Sequence, residues 1–157
     1  MASVHERLLN ATVSAVSAMA LTVGGVLVPV EKQKLPGVEE SIDVVPLAVV
    51  ASDPRPSRVE PWDTGTAAGP RALRTYKAQV VLVVAGNREV RRSLGDVATW
   101  RERVMRRLGG AKPLAVDELL QTRVTPGPAF EPGAYSNMYD YSPIDVEWDC
   151  IEPAFEV

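Results

Sequence analysis

Within the stretch "SPIDVEWDCIEP", residues 142–153, apolar and acidic side chains alternate strictly. Because side chains on a β-strand point alternately to opposite faces, this pattern predicts a strand with one apolar face and one acidic face. We expect the apolar face to pack on the protein core and the acidic face to point outward. The apolar positions are Ile144, Val146, Trp148 and Cys150, and the acidic positions are Asp145, Glu147 and Asp149.

A different spacing near the start of the chain predicts a helix. Apolar side chains in residues 4–19 recur every three or four positions, which places them on one face of a helix. Ser3 and Glu6 fit a capping box at its first turn, and the glycines at 24–25 are expected to follow its end. His5 falls in the first turn, where we expect it to be exposed.

The middle of the chain predicts a buried strand followed by a second helix. The segment 74–86 begins with alternating polar and apolar positions, and Val81 and Val83 then make both faces apolar. Such a strand is expected in the middle of a sheet, under a helix. The segment 96–108 carries Trp100 and other apolar side chains at helical spacing, so we expect this helix to pack on the sheet.

Proline-rich segments separate these elements and set the fold class. Residues 52–70 contain four prolines and show no periodic pattern, which predicts a long loop or an extended hairpin arm. A second loop is predicted at 126–137, after a short strand in "LLQTRVTP". Strands grouped rather than alternating with helices favour the α+β class. We therefore predict one domain, 1–157, with a mostly antiparallel sheet packed by two helices and a long Pro/Gly-rich arm.

Composition narrows the function classes. A chain of 157 residues with 46% hydrophobic and 24% charged residues is typical of a globular domain with its own core. A net charge of −3 gives no overall attraction to nucleic acid. The segment 8–30 has no charged residue, but its polar side chains and glycines disfavour a membrane span or an export signal. We expect no membrane association.

Few residues are available for chemistry. The chain has one histidine, His5, and one cysteine, Cys150, which are too few for an internal disulfide or a structural zinc site. Motifs of phosphate-binding loops are absent from the sequence. We predict that the protein is not an enzyme and has no cofactor and no bound metal.

The acidic strand leaves three hypotheses open: a catalytic or metal site, a solvated face, or a protein interface. Neighbouring acids on one face lie about 6.5–7 Å apart, a spacing that suits metal binding through water. One alternative function is therefore a small metal-dependent hydrolase that uses these acids. A stand-alone adaptor domain is a further alternative. Restriction-type nucleases, however, need a lysine where this chain has Asp149.

The distribution of charge favours the interface. Residues 88–107 hold seven arginines and three acids, whereas residues 131–157 hold seven acids and no base. Opposite charges in separate segments can pair within one chain or between copies. No motif for reading a nucleic-acid sequence accompanies the arginines. The predicted subunit-interface residues are Arg101, Arg103, Arg106, Arg107, Asp145, Glu147 and Asp149.

The order of these elements resembles a known family. The chain begins with an amphipathic helix. A "YKAQVVLVV" strand follows and leads through "GNRE" into "LGDVATWRERVMRRL", and the last element is a "YDYSPIDVEWD" strand. This order resembles that of the tail-terminator and neck (head–tail joining) proteins of long-tailed bacteriophages and prophages. The resemblance implies an α+β fold and a six-fold ring of copies that ends tail-tube growth and joins the tube to the head connector. It implies no catalytic residues.

The same resemblance implies where the protein is found and what it contacts. The protein would be part of the virion and would assemble in the cytoplasm of the bacterial host. Its partners would be copies of itself, the tail-tube protein and the head-connector protein. The contacts would involve the arm at 52–70, the loop at 126–137 and the charged faces.

Overall fold

A computed structural model describes residues 2–32, 46–62, 69–85, 94–110, 113–127 and 139–154. Two helices are present in these segments, α1 (Val4–Ala18) and α2 (Leu94–Leu108). The strands are β1 (Thr22–Val23), β2 (Val26–Leu27), β3 (Val30–Lys32), β4 (Leu47–Ser52), β5 (Arg58–Trp62), β6 (Arg71–Ala85), β7 (Leu119–Pro126) and β8 (Tyr139–Pro153). The fold is α+β, as the sequence predicts.

The main sheet has the strand order β3-β4-β6-β8-β7. Its neighbouring strands are antiparallel except for β3 and β4, which run parallel. The two longest strands, β6 and β8, have 15 residues each and pair along their whole length. The strand predicted from the alternating pattern therefore lies inside the sheet, with β6 on one side and β7 on the other.

Both helices pack on one face of this sheet, and the core lies between them and the strands. Trp100 of α2 and Trp148 of β8 are almost completely buried there, with 1% and 0% of their surface exposed. The predicted apolar face of β8 is confirmed, because all four of its members belong to this core. They are Ile144, Val146, Trp148 and Cys150.

The other face of the sheet changes character along the strands. Val83, on the face opposite the core cluster, is completely buried, and its neighbour Val81 is half-buried. The prediction that β6 becomes buried on both sides is thus confirmed for Val83. Nearer the middle of the strands the same face becomes polar. We call it the polar face; its members are Lys77, Gln79, Asp145, Glu147 and Asp149.

The first helix follows the predicted start and departs from the predicted end. Ser3 caps α1, and its hydroxyl accepts a hydrogen bond from the Glu6 amide at 3.1 Å. The helix ends at Ala18, and the glycines at 24–25 instead form the turn between β1 and β2. Their φ angles of 60° and 77° suit such a tight turn. A glycine pair marks either feature, because both a helix stop and a hairpin turn use positive φ.

The proline-rich segment 52–70 is partly organised as a hairpin. Strand β5 lies within it and pairs antiparallel with residues 71–75 of β6. All but one of the β5 residues are exposed. The tip at 63–68, like most of the predicted loop at 126–137, lies outside the described residues. The hairpin is therefore confirmed at its base, and its role as an arm stays a prediction.

Candidate functional site on the polar face of the sheet

An open groove with a volume of about 620 Å³ crosses the polar face, from the end of β4 over β6 and β8 to β7. Strand pairing brings its lining together: Lys77 lies opposite Glu147, and Asp145 lies between Gln79 and Thr125. Asp53, just beyond β4, adds a third carboxylate to the lining. The groove therefore combines three carboxylates with one ammonium group and three uncharged polar residues, Ser52, Gln79 and Thr125.

The exposed charged side chains of the groove are Asp53, Asp145 and Lys77. The carboxylate of Asp145 accepts a hydrogen bond from Gln79 Nε2 at 2.8 Å. Within the segments that the structure describes, neither Asp145 nor Lys77 forms an ion pair. Both charges are thus open to a molecule that enters the groove.

The other two acids of β8 bind an arginine of their own chain. Arg123 of β7 donates to Glu147 Oε2 at 2.6 Å and contacts both oxygens of Asp149. Thr75 and Gln121 each donate to Asp149 at 2.7 Å. Burial alone would raise the pKa of Asp149, but these hydrogen bonds and the charge of Arg123 hold it below its ordinary value.

The expectation that all three acids point outward needs correction. Asp145 is exposed and Glu147 is half-buried, but Asp149 is only 2% exposed. Its carboxylate is enclosed by side chains of β6 and β7, so it is not part of an exposed acidic surface. The sequence does not predict Arg123 as the partner of Asp149, although the alternation in "LLQTRVTP" places this arginine on one face of a strand.

The predicted arginine set also divides into two groups. Arg101 is 7% exposed and donates to Ser142 Oγ, Pro143 O and Gly127 O at 2.6, 3.0 and 2.6 Å. Burial lowers its pKa. This arginine joins α2 to the ends of β7 and β8. The expectation that it lies on an exposed surface is therefore wrong. Its neighbours along the helix are exposed; we call them the arginine face, and they are Arg103, Arg106 and Arg107.

The arginine face and the polar face lie on opposite sides of the sheet. Helix α2 packs on the core side through Trp100, Val104 and other apolar residues, whereas Asp145 and Glu147 point the other way. The structure thus does not bring the two predicted sets together within one subunit. Whether they meet between copies stays a prediction.

A histidine–serine pair lies at the end of β4, where Ser52 also borders the groove. His5 was expected to be exposed, but only 9% of its surface is accessible. The reason is that α1 places its ring 5.3 Å from the Tyr76 ring and 6.3 Å from the Trp148 ring, measured between ring centroids. Its Nε2 lies 2.7 Å from Ser52 Oγ, and that hydroxyl donates to the Lys77 carbonyl at 2.8 Å.

This geometry favours an anchoring role for His5. Since the Ser52 proton is directed to a carbonyl, His5 Nε2 must be the donor and cannot take that proton as a base. Burial lowers the pKa of His5, which favours the neutral ring. The contact therefore fixes the first turn of α1 to β4. Cys150 is likewise unsuited to nucleophilic attack, because burial raises the pKa of its thiol to about 12.

Neither a cluster of metal ligands nor a membrane-spanning helix occurs among the described residues. These residues contain no group of three or more His, Cys, Asp or Glu side chains arranged to hold a metal ion. Among the same residues, no helix combines the length and apolar character needed to cross a membrane.

Comparisons with known proteins leave the family open. No protein-family model matches the chain, and no curated protein matches it. The resemblance to tail-terminator and neck proteins therefore stays a prediction.

Proposed function

We propose that this protein is a non-enzymatic structural subunit of a phage or phage-like particle. In this proposal it is a ring-forming tail terminator or neck component that joins the tail tube to the head. Its partners are copies of itself, the tail-tube protein and the head-connector protein. It belongs to the virion and assembles in the host cytoplasm.

The observation that carries the proposal is the polar face. Its charged side chains stand on the paired strands β6 and β8, and β8 also pairs with β7, so the spacing between them is fixed by the sheet. Arg123 further holds Glu147 and Asp149 in place. A fixed charge pattern on a rigid sheet sets the orientation and the association rate of a protein partner. Such a surface suits a subunit that must join others in one orientation.

The chemistry of the same surface supports a binding role over a catalytic one. A general acid or base needs a carboxyl whose proton can be exchanged near neutral pH. The hydrogen bonds and the arginine around Asp149 instead keep its pKa below the ordinary value. Glu147 shares the guanidinium of Arg123 with it. These two carboxylates serve to hold a charge pattern in place.

The experiment that tests this proposal measures the assembly state of the full-length purified chain. Native mass spectrometry over a range of protein concentrations gives the number of copies, and negative-stain electron microscopy shows their arrangement. Closed rings with a central opening are expected, and rings of six would match the family resemblance. A chain that stays monomeric at every concentration would contradict the proposal.

A further inference from the structure

We propose that the groove on the polar face receives the arginine face of α2 from a second copy of this chain. Subunits would then join head to tail, each giving its helix to one neighbour and its groove to the other. This inference rests on the proposed function, since it names the contact through which a ring would close.

On the groove side, an exposed carboxylate is available for a partner's cation. Asp145 is exposed, and its contact with Gln79 provides a hydrogen bond but no positive charge. Asp53 stands at the groove wall, where it accepts a hydrogen bond from the Arg55 amide at 2.9 Å and forms an exposed ion pair with the Arg55 guanidinium at 3.4 Å; both contacts lower its pKa. The carboxylate of Asp53 is therefore charged at neutral pH. Glu147 adds a third negative charge, which it shares with Arg123.

On the helix side, the arginines have unneutralised charge. Within the described segments Arg103 has no hydrogen bond or ion pair, and Arg107 donates to a carbonyl, Pro113 O, at 2.6 Å. Only Arg106 meets a carboxylate, Glu102, at 2.5 Å in an exposed pair one helical turn apart. Exposed pairs of this kind are weak, so Arg106 can exchange Glu102 for another acid.

The spacing of the two charge sets is compatible. Arg103 lies three and four residues before Arg106 and Arg107, so their Cβ atoms are about 5–6 Å apart on one helix face. Asp145 and Glu147 stand two residues apart on a strand, about 6.5–7 Å. Long arginine side chains can adjust to this difference. A helix that lies along the groove can therefore place two guanidinium groups on two carboxylates.

The contact must form between copies. Helix α2 is held on the core side of the sheet by Trp100 and Val104, which are 1% and 0% exposed. The groove opens on the other side, and the strands of the sheet stand between them. The arginine face of a subunit therefore cannot reach the groove of the same subunit.

This arrangement selects the symmetry of the assembly. Because the arginine face and the groove lie on opposite sides of the sheet, a twofold dimer cannot form both contacts at once, and the contact is heterologous. Repeated heterologous contacts close into a ring when the rotation allows, and otherwise grow into a filament. We therefore expect rings or filaments, and an open chain would leave a groove free at one end and an arginine face free at the other.

A charge-exchange experiment tests the pairing. The helix variant Arg103→Glu/Arg106→Glu reverses the arginine face. The groove variant Asp53→Asn/Asp145→Lys reverses the groove, and asparagine at 53 keeps the acceptor for the Arg55 amide. Each variant alone should raise the concentration needed for half-assembly by about tenfold or more, since like charges then face each other.

Combining the two variants should restore assembly. In a chain that carries all four changes, glutamates on the helix meet a lysine in the groove, so the contact is complementary again. An equimolar mixture of the two variants should also assemble, because wild-type surfaces meet each other and reversed surfaces meet each other. A control with Arg71→Glu and Asp117→Lys reverses exposed charges outside both surfaces and should assemble like the wild type. Circular dichroism of each variant verifies that it is folded.

The possible results separate this inference from the proposed function. If the wild type assembles and both charge variants assemble equally well, the pairing is wrong and the ring proposal stands. If each variant fails but neither the mixture nor the four-change chain recovers, the two surfaces contact other partners, and the pairing is again wrong. A wild type that is monomeric at every concentration overturns both proposals.

Discussion

Two carboxylates on β8, Asp145 and Asp149, occupy equivalent positions in the alternating pattern but have opposite surroundings. Asp145 is exposed and accepts a hydrogen bond from Gln79. Asp149 is 2% exposed and accepts hydrogen bonds from side chains of both neighbouring strands, including Arg123. The alternation decides which face a side chain occupies. The residues that stand beside it on the neighbouring strands decide whether it stays open to a partner.

We call Asp145, Glu147 and Asp149 the acidic row, and the difference in surroundings assigns its two ends to different tasks. The end at Asp149 is an internal polar network that joins β6, β7 and β8. The end at Asp145 borders the groove and keeps its charge available. Stability and recognition are thus separated along one strand by four residues. Each of the following changes tests that separation.

The largest effect is expected from the core side of the strand, which stabilises the fold through burial and does not border the groove. Trp148 is fully buried, so Trp148→Ala should lower the free energy of unfolding by about 3–5 kcal/mol through lost burial and a cavity. Urea unfolding of the variant and the wild type measures the difference. Trp148→Phe, which keeps an aromatic ring, is the matched control and should lose less. A loss below about 1 kcal/mol in Trp148→Ala would show that the strand does not depend on this core contact.

A matched pair of substitutions tests the separation itself. Asp149→Asn removes the charge that Arg123 contacts and should lower the free energy of unfolding by about 2–3 kcal/mol, because bonds to charged groups are stronger than neutral ones. Arg123 is partly exposed, which keeps this value below that of a fully buried ion pair. Asp145→Asn should change the free energy by no more than about 0.5 kcal/mol. Equal losses in the two variants, measured by urea unfolding in one buffer, would remove the distinction.

Part of this organisation follows from the sequence alone. The alternation in β8 and the helical spacing in α2 correctly predict which side chains form the core, because Ile144 and Trp100 are placed by local geometry. The network around Asp149 does not follow, because Arg123 is 26 residues away and becomes a neighbour only through strand pairing. No local pattern contains that register.

The surroundings of His5 escape prediction for a similar reason. The pattern of residues 4–19 correctly places His5 in the first turn of α1. Its burial depends on where the helix crosses the sheet, since Tyr76 and Trp148 supply the contacting rings. Those rings come from β6 and β8, far along the chain. The candidate surface follows from the sequence only in part. The patterns correctly predict that Asp145 and Arg103 are exposed. They do not predict the groove, because it forms between residues of different strands.

A lower pH is expected to have a smaller effect on the free energy of unfolding, through His5, which contacts the core side of β8. Burial lowers the pKa of His5 in the folded protein, although the negative charges of Asp53, Glu6 and Glu152 act in the opposite direction. Between the ordinary pKa of histidine and the lowered one, the unfolded chain therefore binds the proton more readily. The free energy of unfolding should fall as pH decreases through this window and should not change through His5 above it.

Urea unfolding between about pH 7 and pH 5 measures this dependence. His5→Gln removes the titrating group while keeping a donor that can reach Ser52, so it is the appropriate control. Its free energy of unfolding should vary less with pH than that of the wild type. If the two proteins have the same pH dependence over this range, His5 does not contribute as the structure indicates.

The smallest effect is expected from divalent metal ions, and it concerns both ends of the acidic row. At the Asp149 end, the guanidinium of Arg123 already contacts Glu147 and Asp149, so a cation would have to displace it. At the Asp145 end, the carboxylate lies beside the uncharged Gln79, and the described residues bring no group of three or more His, Cys, Asp or Glu side chains together to hold a metal ion. Calorimetric titration with Mg²⁺ or Mn²⁺ should therefore show no saturable heat. Micromolar binding that disappears in Asp145→Ala would contradict this expectation and would favour the metal-dependent hydrolase over a protein interface. The same titration with Asp149→Ala, which frees Arg123 from one acid, separates a site at the groove from one at the buried end.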